Sequence, residues 1–505
     1  MDSSWLDALA PHAKRLATQS LATLLGRDPA RLRRDALRCG PLYLNLARQR
    51  LDGEAWSDLL GIARKLRLRE RLAAQIEGEP VNVSEARAAL HTALRSDLGR
   101  SPRAREAHAQ ARATLARAEA LAARLRSQGI TDVLHVGIGG SELGPRLVLE
   151  ALGAARGPCV HFLSAPDGHR LQALLARLAP ERTAVVIVSK SFGTAETLLN
   201  AREVRDWLGG KGPMVAVTAR PDAARGFGIE EDAILPMWDW VGGRFSLWSA
   251  VGFSVLLALG ADTFAELLAG AAGMDRHAVE AVEEENLPLR HALSWVWNRN
   301  ALGLASLAVL PYDHRLASLP AHLQQLVMES LGKAVLADGS AAVAMATAPI
   351  LWGGPGNDGQ HSFMQALHQG TDAVPVEFVA VARPDHARQG MHRMLLASLL
   401  GQSEALAKGA EHEDPRRAHP GNRPSSVLLL DRLDGRSLGA LLAMYEHSVV
   451  FQAMLWGINP FDQWGVELGK SMARDLLAAL EDPGRAVPDP VSAELVRVLR
   501  AALEP

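Results

Sequence analysis

The stretch Asp132-Val133-Leu134-His135-Val136-Gly137-Ile138-Gly139-Gly140-Ser141-Glu142-Leu143-Gly144-Pro145 decides how the rest of the chain is read. An apolar, β-branched run breaks into glycines and a serine, then continues into a helical pattern. A strand that turns through glycines into a helix leaves backbone N–H groups and a hydroxyl free at the helix N-terminus, an arrangement that binds anions. The expected ligand is therefore phosphorylated. Two alternatives compete: glycines that only make a tight turn, and a dinucleotide fingerprint. The fingerprint needs a third glycine where Glu142 stands, with its carboxylate toward the pyrophosphate.

Outward from this turn, residues from about 100 to 260 repeat the order strand, glycine turn, helix. The expected strands are 133–136, 160–163, 184–188, 214–218 and 233–235. Continuous apolar runs joined by helices predict a parallel, doubly wound sheet, and in such sheets ligands bind beyond the carboxyl ends of the strands. The loop after the third strand packs Ser189, Lys190, Ser191, Thr194 and Thr197 into nine residues. Hydroxyls and amides at a helix start bind a phosphate dianion, although a Ser/Thr cap alone is a common structural device. No Gly-x-x-x-x-Gly-Lys-Ser/Thr stretch occurs, so the phosphate reads as a handle rather than a reactant.

Gly242 and Gly243 precede Arg244, which lets the backbone approach a ligand and aims a permanent cation at a developing oxyanion. The bland reading of Arg244 is a pair with a nearby carboxylate. From about 287 a second region starts with helices and repeats the alternation, with expected strands at 347–352, 376–381 and 426–430. Gln325 and Glu329 fall one helical turn apart on one face, with Gly332 as a stop. Further on, a glycine-rich loop at 353–359 leads into a helix carrying His361 and His368 seven residues apart. A metal pair prefers spacing of three or four, and no third ligand accompanies them, so acid–base use of one histidine is the better reading.

Residues up to about 98 read as a helical lead-in, with Ser84 capping a helix that carries His91. Residues 409–424 read as a surface loop, and those after Lys470 as terminal helices. Basic and acidic residues nearly balance, at 54 and 56, without a basic block, so nucleic acid is not an expected partner. Cys39 and Cys159 form neither a disulfide framework nor a zinc spacing, and no signal-peptide pattern opens the chain. The expected location is cytoplasmic. The apolar stretch 245–259 is too short to span a bilayer and reads as a buried helix, so no membrane association is expected.

In chain order, residues 137–145, 189–197, 239–246, 324–333, 353–370, 445–447 and 461–470 resemble the glucose-6-phosphate isomerase (phosphoglucose isomerase) family. The resemblance implies an α/β protein of two doubly wound parallel-sheet, flavodoxin-like sugar-isomerase (SIS) domains. It divides the chain into a helical N-terminal region (1–99), a first SIS domain (100–262), a second (263–470) and a C-terminal helical arm (471–505). It further implies a homodimer and aldose–ketose interconversion of glucose 6-phosphate and fructose 6-phosphate in glycolysis and gluconeogenesis, with no metal and no cofactor. By position, Gly140, Ser141, Ser189, Lys190, Ser191 and Thr194 would hold the phosphate, and Gln325 would position the substrate. Glu329 would move the proton between C2 and C1, and Arg244 would stabilise the cis-enediolate. His368, supplied by the neighbouring subunit, and Lys470 would open the ring. Departures from the family pattern are Glu142 for Asp, Ser191 and Gly193 for threonines, Leu331 for Asn, Gly354 for Glu, and Asn357-Asp358 for Thr-Asn. They bear on rate and affinity more than on reaction type. The competing reading is a sugar-phosphate sensor that binds without turnover, and a third is a nicotinamide dehydrogenase.

Overall fold

Among residues 4–153 and 157–503, which the computed structural model describes, eleven strands form two sheets. They are β1 (Ala36–Cys39), β2 (Leu42–Asn45), β3 (Asp132–Val136), β4 (Cys159–Leu163), β5 (Thr183–Val188), β6 (Met214–Thr218), β7 (Ile234–Pro236), β8 (Ser306–Pro311), β9 (Ile350–Gly353), β10 (Val376–Val381) and β11 (Ser425–Leu430). The first sheet runs β4-β3-β5-β6-β7 with every pair parallel. In order of appearance this is 2-1-3-4-5, the flavodoxin-like order, whose switch point lies between β3 and β5. The loops after these two strands are therefore neighbours at one sheet edge. All six residues of β5 are buried, as a central parallel strand covered on both faces requires.

The second sheet runs β1-β2-β11-β10-β8-β9. Its parallel part, β9-β8-β10-β11, repeats the 2-1-3-4 order, and the β1–β2 hairpin extends it antiparallel through β2. Four expectations are corrected here. The N-terminal region is not purely helical, because Gly40 and Pro41 turn a hairpin that joins the second sheet. Strand β8 lies where the sequence predicts the opening helices of the second region, since a short apolar run ending in Pro311 fits a helix segment as well as a strand. Ser84 caps no α-helix. It lies in a 3₁₀ turn, Val83–Glu85, and His91 opens another, His91–Leu94. The stretch 245–259 is helical only over Phe253–Leu259, after 3₁₀ turns at Gly243–Phe245 and Ala250–Gly252.

The helix Gly435–Trp456 is long and apolar enough to cross a membrane by length and composition, yet every residue of it except Arg436 is buried in the core. Its three consecutive polar residues show why it belongs there. Tyr445 donates its hydroxyl to Glu377, which also bonds His291 and Ser426, while Glu446 accepts from Arg95 and Trp248 and His447 pairs with Asp275. Burial drives the Asp275 carboxyl up, but Arg95 and the hydrogen bonds from His447 and Arg95 outweigh it and hold the group at about 2. Each buried charge on this helix meets a partner, as burial demands.

The chain divides into two compact units, Met1–Pro460 and Phe461–Pro505. The second contains a 3₁₀ turn, Trp464–Val466, and the helices Glu467–Glu481 and Pro490–Leu503, tied together where Arg500 donates to the Ala479 and Asp482 carbonyls.

Candidate active site

The turn after β3 is held by a histidine inside the sheet. His135 bonds Ser254 Oγ at 2.8 Å through Nδ1 and the Ser141 carbonyl at 2.6 Å through Nε2. Burial lowers its pKa to about 4, so the ring is neutral at pH 7. Beyond it the backbone passes through Gly139 at φ +60°, and a Cβ there would lie 3.0 Å from Gln325 Nε2. A Cβ on Gly140 would collide with the Gly243 carbonyl and lie 2.8 Å from the Arg244 nitrogen. The two glycines thus let the turn close onto Gln325 on one side and the segment carrying Arg244 on the other. Ser246 Oγ donates to the Gly243 carbonyl at 2.6 Å and fixes that segment.

The loop after β5 carries backbone strain. Phe192 sits at φ +46° with its buried ring edge-on to Phe227, an uncommon conformation for a bulky residue and one concentrated at ligand clamps. Ser189 Oγ lies 3.3 Å from Thr194 Oγ1, and Ser191 Oγ accepts from the Gly193 N–H at 3.2 Å. Lys190 donates from Nζ to the Val241 carbonyl at 2.9 Å and to that of Asp239 at 3.3 Å, joining this loop to the one before Arg244. Burial lowers the Lys190 pKa, opposed by Asp239 and reinforced by Arg87. The anion-binding groups predicted from sequence, Gly140 and Ser141 after β3 and Ser189, Lys190, Ser191 and Thr194 after β5, therefore stand at the switch point of one sheet.

Arg244 is buried and reaches three segments at once. Nε donates to Ser330 Oγ at 2.6 Å, Nη2 to the Pro460 carbonyl, and Nη1 lies 3.5 Å from Glu329 Oε2. Phe245, next in the chain, stacks on His91 at 4.6 Å between ring centroids. Glu329 closes a π-turn, Gln324–Glu329, rather than the α-helical turn the spacing predicted. Such turns are rare and recur at functional sites. Its Oε2 is buried and accepts no hydrogen bond among the described residues. The result is a carboxylate beside a fixed guanidinium, near Gln325 and the glycine turn.

His368 lies on the short helix Met364–Gln369, where Nε2 meets Gln402 Oε1 at 2.8 Å and the ring stands edge-on to His419. No hydrogen bond or ion pair joins it to Glu329 or Arg244 among the described residues. His361 does not share that helix. It follows the separate turn Gly356–Gly359 and is exposed, so the expected two-histidine stripe is absent. Lys470 belongs to the second unit, on Glu467–Glu481, with Nζ 2.9 Å from Glu467 Oε1. Sequence reading missed Ser330, which anchors Arg244, and His135, which holds the Ser141 carbonyl. A serine next to the candidate base and a histidine inside an otherwise apolar strand were the available signals.

Two sheets of flavodoxin-like order, with polar groups converging at a switch point and a carboxylate–guanidinium pair beside it, define a doubly wound α/β protein. The chain belongs to the phosphoglucose isomerase family, which it matches over residues 45–492. It is 52% identical over 497 residues to the glucose-6-phosphate isomerase of Stenotrophomonas maltophilia (strain K279a), covering 98% of each chain. The glucose-6-phosphate isomerase of Xanthomonas axonopodis pv. citri (strain 306) is likewise 52% identical with 98% of each chain covered. The crystal structure of a glucose-6-phosphate isomerase from Chlamydia trachomatis D/UW-3/Cx superposes with a TM-score of 0.89 at 34% identity, over 99% of both chains.

Proposed function

We propose that this protein is an enzyme that interconverts glucose 6-phosphate and fructose 6-phosphate through ring opening and a cis-enediolate, in glycolysis and gluconeogenesis. The observation that carries the reading is the Arg244–Glu329 pair beside the Gly139–Gly140 turn. Moving a proton α to a carbonyl requires a positioned base and a stabilised oxyanion in one place.

In this mechanism Ser141, Ser189, Ser191 and Thr194, with Lys190 and the Gly140 backbone, grip the substrate phosphate. His368 of the partner subunit and Lys470 act at O5 and O1 to open the ring, one donating a proton to the ring oxygen while the other accepts the hydroxyl proton. Glu329 then takes the proton from C2, the electron pair enters the enediolate, and Arg244 balances the oxygen charge. Glu329 returns the proton to C1, and Gln325 holds the extended chain. The Glu329 side chain is 22% exposed, so part of the transferred hydrogen exchanges with solvent. The enzyme works as a cytoplasmic homodimer, and the isomerisation itself uses neither metal nor cofactor.

Incubation of fructose 6-phosphate with the protein in D₂O plus chelator tests this reading. Glucose 6-phosphate carrying deuterium at C2 is the expected product. No product and no exchange from folded protein would replace the enzyme with a sugar-phosphate sensor.

A further inference from the structure

Away from the catalytic edge, the first residues of β3 and β4 bring together three side chains that the mechanism does not use. Asp132 and Cys159 are direct partners across the parallel ladder, and His161 follows two residues along β4, on the same face as Cys159. His161 Nε2 lies 2.8 Å from Asp132 Oδ1, while Thr131 Oγ1 donates to Asp132 Oδ2 at 2.8 Å and fixes the carboxylate. One donor atom from each of Asp132, Cys159 and His161 lies within 4.8 Å of the other two. A thiol, an imidazole and a carboxylate are the three side-chain donor types that bind zinc.

We infer that Asp132, Cys159 and His161 form a binding site for a borderline-soft divalent cation of the zinc type, with solvent in the fourth position. Tetrahedral Zn²⁺ with bonds of about 2.0–2.3 Å sets its donors roughly 3.5 Å apart, so side-chain rotation at exposed Cys159 closes the remaining gap. On binding, Cys159 gives its S–H proton to solvent and the thiolate becomes the sulfur ligand. Softness favours zinc over magnesium or calcium, which prefer all-oxygen sets. Sequence did not reveal the site because Cys159 and His161 supply only two ligands, and the third comes from a strand 27 residues earlier that only the register makes adjacent.

The site stands at the amino ends of β3 and β4, whereas the phosphate-binding turns follow the carboxyl ends of β3 and β5. A bound ion therefore staples β4, an edge strand, to β3 without touching the reacting groups. The expected effect falls on stability: at 100-fold excess over Kd the unfolding midpoint rises by about 2–3 °C, and isomerase turnover with chelator is unchanged.

The test uses the full-length protein, stripped with chelator and titrated with Zn²⁺ by calorimetry and with Co²⁺ by absorption. One equivalent should bind with micromolar Kd, and Co²⁺ should give a thiolate-to-metal charge-transfer band. Cys159→Ser should abolish the band and weaken Zn²⁺ binding at least tenfold, as should His161→Ala, while Cys39→Ser changes neither. Absence of stoichiometric binding to the unmodified protein, or binding that survives Cys159→Ser, overturns the assignment.

Discussion

Replacement of Glu329 by Gln isolates the proposed chemistry from everything that holds the site together. The amide preserves side-chain volume, and Arg244 keeps its anchors on Ser330 and the Pro460 carbonyl, so fold stability should change by no more than about 1 kcal/mol. The phosphate turns belong to β3 and β5 and do not involve this side chain, so substrate affinity should stay within about threefold, roughly 0.7 kcal/mol. What disappears is the base. Positioned acid–base groups contribute about 10²–10⁴-fold, and here one group both removes and returns the proton, which places the loss near 10⁴, or about 5 kcal/mol of barrier. The assay follows deuterium entry at C2 and appearance of glucose 6-phosphate in D₂O, with binding measured in parallel by calorimetry on the same preparation. Turnover within tenfold of the unsubstituted protein, with exchange intact, would refute Glu329 as the base. Loss of binding together with turnover would refute the separation between phosphate grip and chemistry.

Gly140→Ala pushes a methyl into the Gly243 carbonyl, and overpacking of this kind costs about 1–3 kcal/mol. Displacement of Arg244 should lower kcat at least tenfold, and near-normal kcat and thermal midpoint would show that the turn can open freely. Lys190→Met removes two hydrogen bonds that join the loops and a cation near the phosphate, so KM should rise at least tenfold with a smaller change in kcat. A kcat-only effect contradicts the handle role. His135 and His322 are buried with pKa values lowered by burial from the ordinary 6.5 to about 4. The unfolded chain therefore binds their protons first: stability is complete above pH 6.5 and falls between pH 6.5 and 4, by roughly 3 kcal/mol for each histidine. Urea unfolding at pH 7 and pH 5 reads this, and a flat profile contradicts it. At the family departures, Gly354→Glu has open space around its Cβ and should change stability by less than about 0.5 kcal/mol, whereas Leu331→Asn removes a fully buried side chain and should cost about 2–5 kcal/mol.

The first sheet was legible because its signals were local. Each strand is an uninterrupted apolar run between turn residues, and four of the five expected strands overlap the observed ones over all their residues, with only the 233–235 strand displaced, by one residue. The second sheet was less legible where its strands looked like something else. Ala36–Cys39 and Leu42–Asn45 sit in an Arg- and Leu-rich background, and only the Gly40-Pro41 dipeptide marked a turn there. Of the two, β2 gains its stability from pairing with β11, a contact nearly 400 residues away, and β1 pairs in turn with β2. At the site, the spacing of Gln325 and Glu329 predicted an α-helical turn, whereas both lie in a π-turn. A π-turn depends on the packing around it, and no residue pattern in Gln324–Glu329 announces the extra residue.

Arg244 shows why the candidate site could be anticipated by residue type but not by construction. Its glycine approach was visible, and the structure gives that approach a cause: Gly140 and Gly243 touch backbone to backbone, which a side chain on Gly140 would prevent. Of the two readings of the arginine, the structure shows the pairing. It is paired with a carboxylate, as the bland reading had it, and that carboxylate is the candidate base. The pair is loose at 3.5 Å, whereas the bond to Ser330 is tight at 2.6 Å, so Ser330 and the Pro460 carbonyl help to fix the guanidinium. A lysine, with one flexible point charge, could not satisfy Ser330, Pro460 and a reacting oxygen together, whereas the planar fork of arginine can. Preorganisation of this kind requires no rearrangement as charge develops on the substrate, and it places the proposed oxyanion partner and the proposed base within one side-chain length of each other.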